Sequence, residues 1–349
     1  MKTIVLTGGG SAGHVSPHLT LLPFLKNDFK NIYYIGSDKG IERNIIEKTD
    51  IPYYSVDCAK LNREFTFKNF KMPFTVLKGI RQAEKLLKKL KPDVIFSKGG
   101  YVSLPTVIAG YNKKIPVISH ESDLSVGLAN KIASRFSKKV LTTFPETAKK
   151  IKNGLYVGSP IKPVKNYARD SLLKEFNFSG KKPILLVIGG SLGAKAINDA
   201  VRLALPTLTE KFDILHICGK GNIENGLQNK SYIQLEWTDK IEKAFSIADV
   251  CISRAGANSA LELLAYKLPS ILIPLPCVAS RGDQILNAEY FYKKGLVYLL
   301  KQELLTPSSL SLAVNSAYAN RLNIKKSLEN CEFSDKSREI SRIICDYAM

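Results

Sequence analysis

No C-x-x-C pair occurs in this sequence, and its six cysteines (Cys58, Cys218, Cys251, Cys277, Cys331 and Cys345) are scattered, several inside apolar runs such as Val250 to Ile252. That spacing fits neither a zinc site nor a disulfide framework. The cysteines read as small hydrophobes in a reducing compartment, so the cytosol is the expected address. Also missing is any uninterrupted apolar run near the roughly 20 residues that a spanning helix needs. Only about three apolar residues precede Thr7 and Gly8, too few for a signal peptide. RNP, helix-turn-helix and zinc-finger patterns are absent, which argues against nucleic acid as a partner. Acidic residues are scarce: 31 Asp+Glu stand against 51 Lys+Arg, a formal net charge of +20. That excess suits nucleic acid, an anionic membrane surface or phosphorylated substrates, and only the position of the charges can choose among them.

What is present is a regular alternation of short β-branched runs with longer amphipathic stretches over 349 residues, of which 45% are hydrophobic. A chain of this length exceeds what one core usually serves, so two domains are expected. Strands are predicted at Ile4 to Leu6, Ile32 to Ile35, Tyr53 to Val56, Val94 to Ser97, Val117 to Ser119 and Val140 to Thr142. After the Gly/Pro-rich stretch YVGSPIKPVKN the alternation restarts, with strands at Ile184 to Ile188, Asp213 to Ile217, Ile233 to Leu235, Val250 to Ile252 and Ser270 to Ile273. Repeated β-α-β units imply an α/β fold with one parallel sheet, covered on both faces, in each half.

Both halves open alike: IVLTGGGSAGHV and ILLVIGGSLGAKAIN each run from strand through glycine loop to helix, and FSKGGYVSLP and ISRAGANSALEL follow the same plan. Such loops leave backbone N–H groups at the positive end of a helix dipole, a favourable place for phosphate. Gly8, Gly10 and Gly13 also satisfy G-x-G-x-x-G, which keeps a dinucleotide-dependent oxidoreductase in view. Its acidic partner at the end of the second strand would be Asp38, which falls slightly late.

GGGSAGHV, SKGGYVSLP, HESDLSVGLANK, VGSPIK, GGSLGAKAIN, SRAGANSALELLAYKLPSILIPLP and RGDQILNAE come in the order and spacing of the MurG-type glycosyltransferases, and the chain resembles that family along nearly its whole length. The resemblance implies the GT-B fold, two Rossmann-like domains facing across a cleft. An N-terminal acceptor and membrane-binding domain is expected over residues 1–158 and a C-terminal UDP-sugar domain over 159–333, with a last helix at 334–349 returning to the first domain. It also implies transfer of N-acetylglucosamine from UDP-GlcNAc to undecaprenyl-linked muramyl-pentapeptide at the cytoplasmic face of the bacterial membrane. A glycolipid synthase moving a hexose to diacylglycerol is the alternative within the fold.

Carried over by resemblance, Ser191 meets the pyrophosphate, Glu262 the ribose hydroxyls, Thr238 the uracil, and Asp283 and Gln284 the sugar; Ser11, Ala12 and Gly13 of the first loop, Asp123 and Lys162 are expected to bind UDP-GlcNAc with them. The chain departs from the family at Asp123, where an amide is usual, at Lys162, where arginine is usual, and at Leu192 in place of a frequent glutamine. A lysine keeps the positive charge for a diphosphate but loses the planar fork of donors. Glu262 has a plainer reading as a first-turn glutamate at a helix start, and the plainer readings of Asp283 and Thr238 are an N-cap and a turn.

Inverting transfer needs a base for the attacking hydroxyl, and histidine serves near neutral pH without special tuning. His14, at the lip of the first loop, is the expected base or orienting residue, and Glu121 is the second candidate. Ser16 and Pro17 read as N-cap and first helical residue after it. No Asp-x-Asp occurs, so no metal or other cofactor is expected, and departure of UDP falls to oriented amides and a cation. His14, His18 and His120 are weak metal ligands on paper, since HVSPH is no H-E-x-x-H; His216 reads as a core histidine.

Between Lys60 and Lys91 ten Lys/Arg face two acids, Glu64 and Glu84, and FTFKNFKMPF sets Phe65, Phe67, Phe70, Met72 and Phe74 among Lys68 and Lys71. This aromatic, basic loop ahead of a helix is expected to dock on anionic membrane.

Overall fold

The computed structural model describes residues 2–60, 67–190, 193–277 and 281–348, and only the backbone of residues 67–71. Two compact units result: residues 1–161 with 335–349, and residues 162–334.

The first unit holds a parallel sheet of strands β1 (Lys2–Thr7), β2 (Phe29–Gly36), β3 (Tyr53–Ser55), β4 (Val94–Ser97), β5 (Val117–Glu121), β6 (Lys139–Thr142) and β7 (Gly154–Tyr156), in the order 3-2-1-4-5-6-7. The second holds β8 (Ile184–Ile188), β9 (Asp213–Ile217), β10 (Tyr232–Leu235), β11 (Val250–Ser253), β12 (Ser270–Leu272) and β13 (Tyr298–Leu299), in the order 10-9-8-11-12-13. Every residue of β4, β5, β9 and β11 is buried. This is the burial that helices on both faces of a parallel sheet impose, and it explains the unbroken apolar runs in the sequence.

Strand order reverses between β1 and β4 and again between β8 and β11. At such switch points the loops leaving the carboxyl ends diverge and open a crevice. All four glycine loops leave the strands that flank these two points.

Two edge strands escaped the sequence analysis. β7 ends on the first residue of the stretch taken as linker, and β13 has two residues. Edge strands are half-exposed and short, so they carry little apolar signal.

The unit boundary falls after Ile161 instead of at residue 158. Ser159 bridges to Asp335, and the Ile161 N–H donates to Asp335 Oδ1 at 2.9 Å, which ties residues 159–161 to the first unit. The final helix, Ser337–Asp346, buries Ile340 and Ile344 in the first unit's core with Leu21 and Leu25.

Two local expectations need correction. The helix after the first loop spans Ser16–Asp28 with Val15, which makes no side-chain cap, at the N-cap, so Ser16 is already helical. A 3₁₀ turn over Ala12–His14 runs directly into it and takes up the residues that would otherwise form a cap. The aromatic segment is not a loop from Phe67 onward: one helix spans Phe67–Leu90 and carries Pro73 internally. Lysine, leucine and methionine are good helix formers, and a proline near a helix start interrupts few intrahelical bonds. Phe65 lies outside the described residues. Among the described residues, no helix is long and apolar enough to cross a membrane.

Candidate active site

In the first unit the loops after β1, β4 and β5 converge. The Gly9 N–H donates to the Gly99 carbonyl at 3.3 Å, which joins the first two. Gly100, at φ +78°, sits so close that a Cβ would collide with the Gly9 carbonyl and stand 3.1 Å from His14 Nδ1. Only glycine lets the histidine lie against this loop. Ser11 Oγ is 2.9 Å from His14 Nδ1. Ala12 and Gly13 form the 3₁₀ turn between these two side chains.

Two residues that sequence reasoning missed hold the first loop from behind. Tyr34 OH donates to the Gly8 carbonyl at 2.8 Å. The buried carboxylate of Glu42 accepts from the Gly10 N–H at 3.0 Å and from the N–H and hydroxyl of Ser37. No pattern in the sequence marks Glu42, because its partners lie on other elements.

Glu121 is 4% exposed and is held by its own loop and by the helix Leu128–Ala133 that follows. Oε1 accepts from the Asp123 N–H at 3.0 Å, while Oε2 accepts from the Gly127 N–H at 3.0 Å and from Asn130 Nδ2 at 2.9 Å. A carboxylate engaged by three donors holds together the loop that carries Asp123. Asp123 sits half-buried in that loop.

The histidines do not gather as metal ligands, and among the described residues no three His, Cys, Asp or Glu side chains do. His18 is fully buried between Tyr34 and Phe96, and burial holds it well below the ordinary histidine pKa. His120 faces the ammonium of Lys98, which would repel a cation. His216 bonds Tyr232 OH at 2.8 Å and Asn198 Oδ1 at 3.0 Å, and burial lowers its pKa to about 3: a satisfied core residue. Asp38 is exposed and paired with Arg43 at 2.8 Å, away from the role a dinucleotide fingerprint would give it.

In the second unit the loop after β8 reaches the helix Lys195–Leu203 through a turn in which the Gly193 N–H donates to the Gly190 carbonyl at 3.0 Å. Gly193, at φ +77°, packs where any Cβ would strike the Cys218 carbonyl. Ser191 lies outside the described residues. Thr238 Oγ1 accepts from the Lys240 N–H at 3.1 Å and so closes a turn after β10.

Glu262 lies in the second turn of the helix Ala257–Ala265, not the first, and it is largely buried. A role as exposed helix-start charge is therefore excluded. Burial raises its pKa, while the nearby Lys162 ammonium acts the other way and Glu242 adds to the rise. No hydrogen bond reaches its carboxylate among the described residues, so both oxygens keep their acceptor capacity.

Asp283 is the first residue of the helix Asp283–Lys293, with left-handed Gly282 rather than Asp283 at the N-cap. Gln284 accepts the Leu275 N–H on Oε1 at 3.1 Å, which leaves its amide N–H groups as donors. Arg254 Nη1 donates to the Ile273 and Pro274 carbonyls at 3.1 and 3.3 Å, bracing the loop after β12.

Residues 4–142 match the glycosyltransferase family 28 N-terminal domain and residues 184–342 its C-terminal domain. A UDP-N-acetylglucosamine–N-acetylmuramyl-(pentapeptide) pyrophosphoryl-undecaprenol N-acetylglucosamine transferase of Geobacillus thermodenitrificans is 47% identical over 349 residues, covering 98% of each chain. A similarly named transferase of Bacillus thuringiensis is 52% identical over 315 residues, covering 89% of this chain and 90% of that one. The crystal structure of Acinetobacter baumannii MurG superposes with a TM-score of 0.77 at 25% identity, covering 99% of this chain and 100% of that one.

Proposed function

The chain belongs to glycosyltransferase family 28 and has its GT-B fold, and on that premise we propose that it moves N-acetylglucosamine from UDP-GlcNAc to the C4 hydroxyl of undecaprenyl-pyrophosphoryl-MurNAc-pentapeptide, turning lipid I into lipid II for peptidoglycan. The observation that carries the reading is 47% identity, across 98% of both chains, to a transferase named for that reaction.

The second unit binds the donor. Amides of the loop around Ser191 meet the pyrophosphate, Glu262 accepts from the ribose diol, Gln284 and Asp283 hold the sugar hydroxyls, Lys162 offers charge to the diphosphate, and the turn at Thr238 lies by the uracil. An ionised carboxylate with both oxygens available is matched to a diol. Preorganised amides and a cation stabilise UDP as it leaves with negative charge.

In the first unit His14 takes the proton of the acceptor hydroxyl. For Nε2 to accept it, Nδ1 must carry the ring hydrogen, and Ser11 Oγ, 2.9 Å away, can accept that hydrogen.

The test is UDP release with a short-chain lipid-linked muramyl-peptide as acceptor, run beside UDP-glucose with diacylglycerol. Turnover with the first pair is expected; turnover with the second pair alone would make the protein a glycolipid synthase. Glu262→Ala is expected to weaken UDP binding by about 10- to 100-fold in calorimetry, the worth of hydrogen bonds to a charged acceptor.

The membrane partner belongs to the first unit. Along the helix Phe67–Leu90, Phe74 is 75% exposed and Leu77 54%, and Lys78, Arg81, Lys85, Lys88 and Lys89 are exposed with them. Exposed apolar groups beside a row of cations suit an anionic bilayer surface. Phe74→Ser with Leu77→Ser is expected to weaken association with anionic vesicles by roughly tenfold or more, with UDP binding unchanged.

A further inference from the structure

Lys98, directly before the Gly99-Gly100 pair, is 1% exposed. A lysine buried this deeply is costly unless its charge is met on all sides. Nζ donates to His120 Nδ1 at 2.8 Å and to Ser122 Oγ at 2.7 Å. The direction of the first bond follows from the second nitrogen: His120 Nε2 lies 2.8 Å from the Gly158 carbonyl, which can only accept, so Nε2 carries the hydrogen and Nδ1 presents its lone pair to the ammonium. Burial, and then Lys98 itself, hold the His120 pKa well below its ordinary value, so the ring stays neutral.

We propose that Lys98 is a positioning residue for sugar transfer: by donating to His120 and Ser122 together, its ammonium fixes the Asp123-bearing loop after β5 against the glycine loop on which His14 rests. This rests on the transferase reading above. The contacts run continuously. Glu121, on β5, gathers the Asp123 and Gly127 amides and Asn130. Asn130 in turn fills the space beside Gly99, leaving no room there for a Cβ. Gly100 bears on His14. Lys98 is the one cation among these contacts, and its charge is met by Glu121 and Asp123.

The arrangement is sensitive to pH. Burial brings the Lys98 pKa down to about 7, with Glu121 and then Asp123 opposing the fall. The other titratable groups facing it are His120 on β5 and His18 on the helix Ser16–Asp28, both held neutral by burial. At lower pH the ammonium keeps its attraction to both carboxylates. As pH rises through the folded pKa that attraction is lost and the loop loosens, so kcat/KM should fall on the alkaline side.

The experiment measures kcat/KM across the neutral and alkaline range for the full chain, Lys98→Met and Ser122→Ala, with UDP-GlcNAc and the short-chain lipid-linked muramyl-peptide, alongside thermal melting. The unaltered chain is expected to show an alkaline limb. Lys98→Met should lose the limb and fall about tenfold or more at neutral pH. Ser122→Ala removes one acceptor of the ammonium and should move the limb to lower pH in a protein that still melts cooperatively. The same limb and the same kcat/KM in Lys98→Met would overturn the proposal. So would an unshifted profile in Ser122→Ala, even if Lys98→Met failed to fold. An unaltered chain inert toward this acceptor would instead remove the transferase reading, and the proposal with it.

Discussion

His14→Ala is expected to lower turnover by about 10²-fold or more, the usual worth of a positioned general base, in UDP release at saturating donor and acceptor. Binding of UDP alone should not change, since its contacts are assigned to the other unit. His14 is proposed as the base because the neighbouring candidates are buried or engaged. His18 and His120 are completely buried, and the two oxygens of Glu121 are committed to three donors. The His14 ring meets Ser11 at Nδ1, and a Cβ at Gly100 would stand 3.1 Å from the same nitrogen. Ser11→Ala should therefore cost less than His14→Ala, because it removes one hydrogen bond to the ring without removing the base. If His14→Ala turned over at a near-normal rate, proton removal would need no protein base at this position.

The central strands and the four glycine loops were legible because parallel strands flanking a switch point are covered on both faces and end where a helix must start. Composition and turn chemistry alone carry that signal. His216 was legible as a core residue for the same reason: Asp213 to Ile217 of DILHIC form a wholly buried strand. The edge strands β7 and β13 were not, being too short and too exposed to show a period.

The helix Phe67–Leu90 was read as beginning later because phenylalanines among lysines carry no 3.6-residue stripe, and an internal proline usually marks a boundary. Glu42 and Lys98 were illegible for a deeper reason. An exposed carboxylate and a buried one have the same letter, and the contacts that decide between them span 32 residues for Gly10 with Glu42 and 22 for Lys98 with His120. Motif spacing locates residues that act on a ligand; residues that act on other residues become visible only when the elements are assembled.

Glu121→Ala is expected to destabilise the first unit by about 3 kcal/mol or more, since each buried donor left without an acceptor costs roughly 1–3 kcal/mol. Three donors lose their partner at once, the Gly127 N–H and Asn130 Nδ2 in fully buried surroundings. Glu121→Gln tests the same idea with less loss of volume. One oxygen becomes an NH₂ group that must point at a donor, so at least one bond turns repulsive wherever the amide settles. Chemical denaturation should show both variants with a lower midpoint, and their remaining activity should keep the limb set by the base while the alkaline limb moves to lower pH, because the Lys98 ammonium loses the Glu121 charge. A general base behaves differently: its Gln variant folds normally and loses the pH limb that the base controlled. A normal midpoint with a vanished limb would return Glu121 to the chemistry and His14 to the loop. The opposite pairing assigns Glu121 to the architecture that lets His14 act.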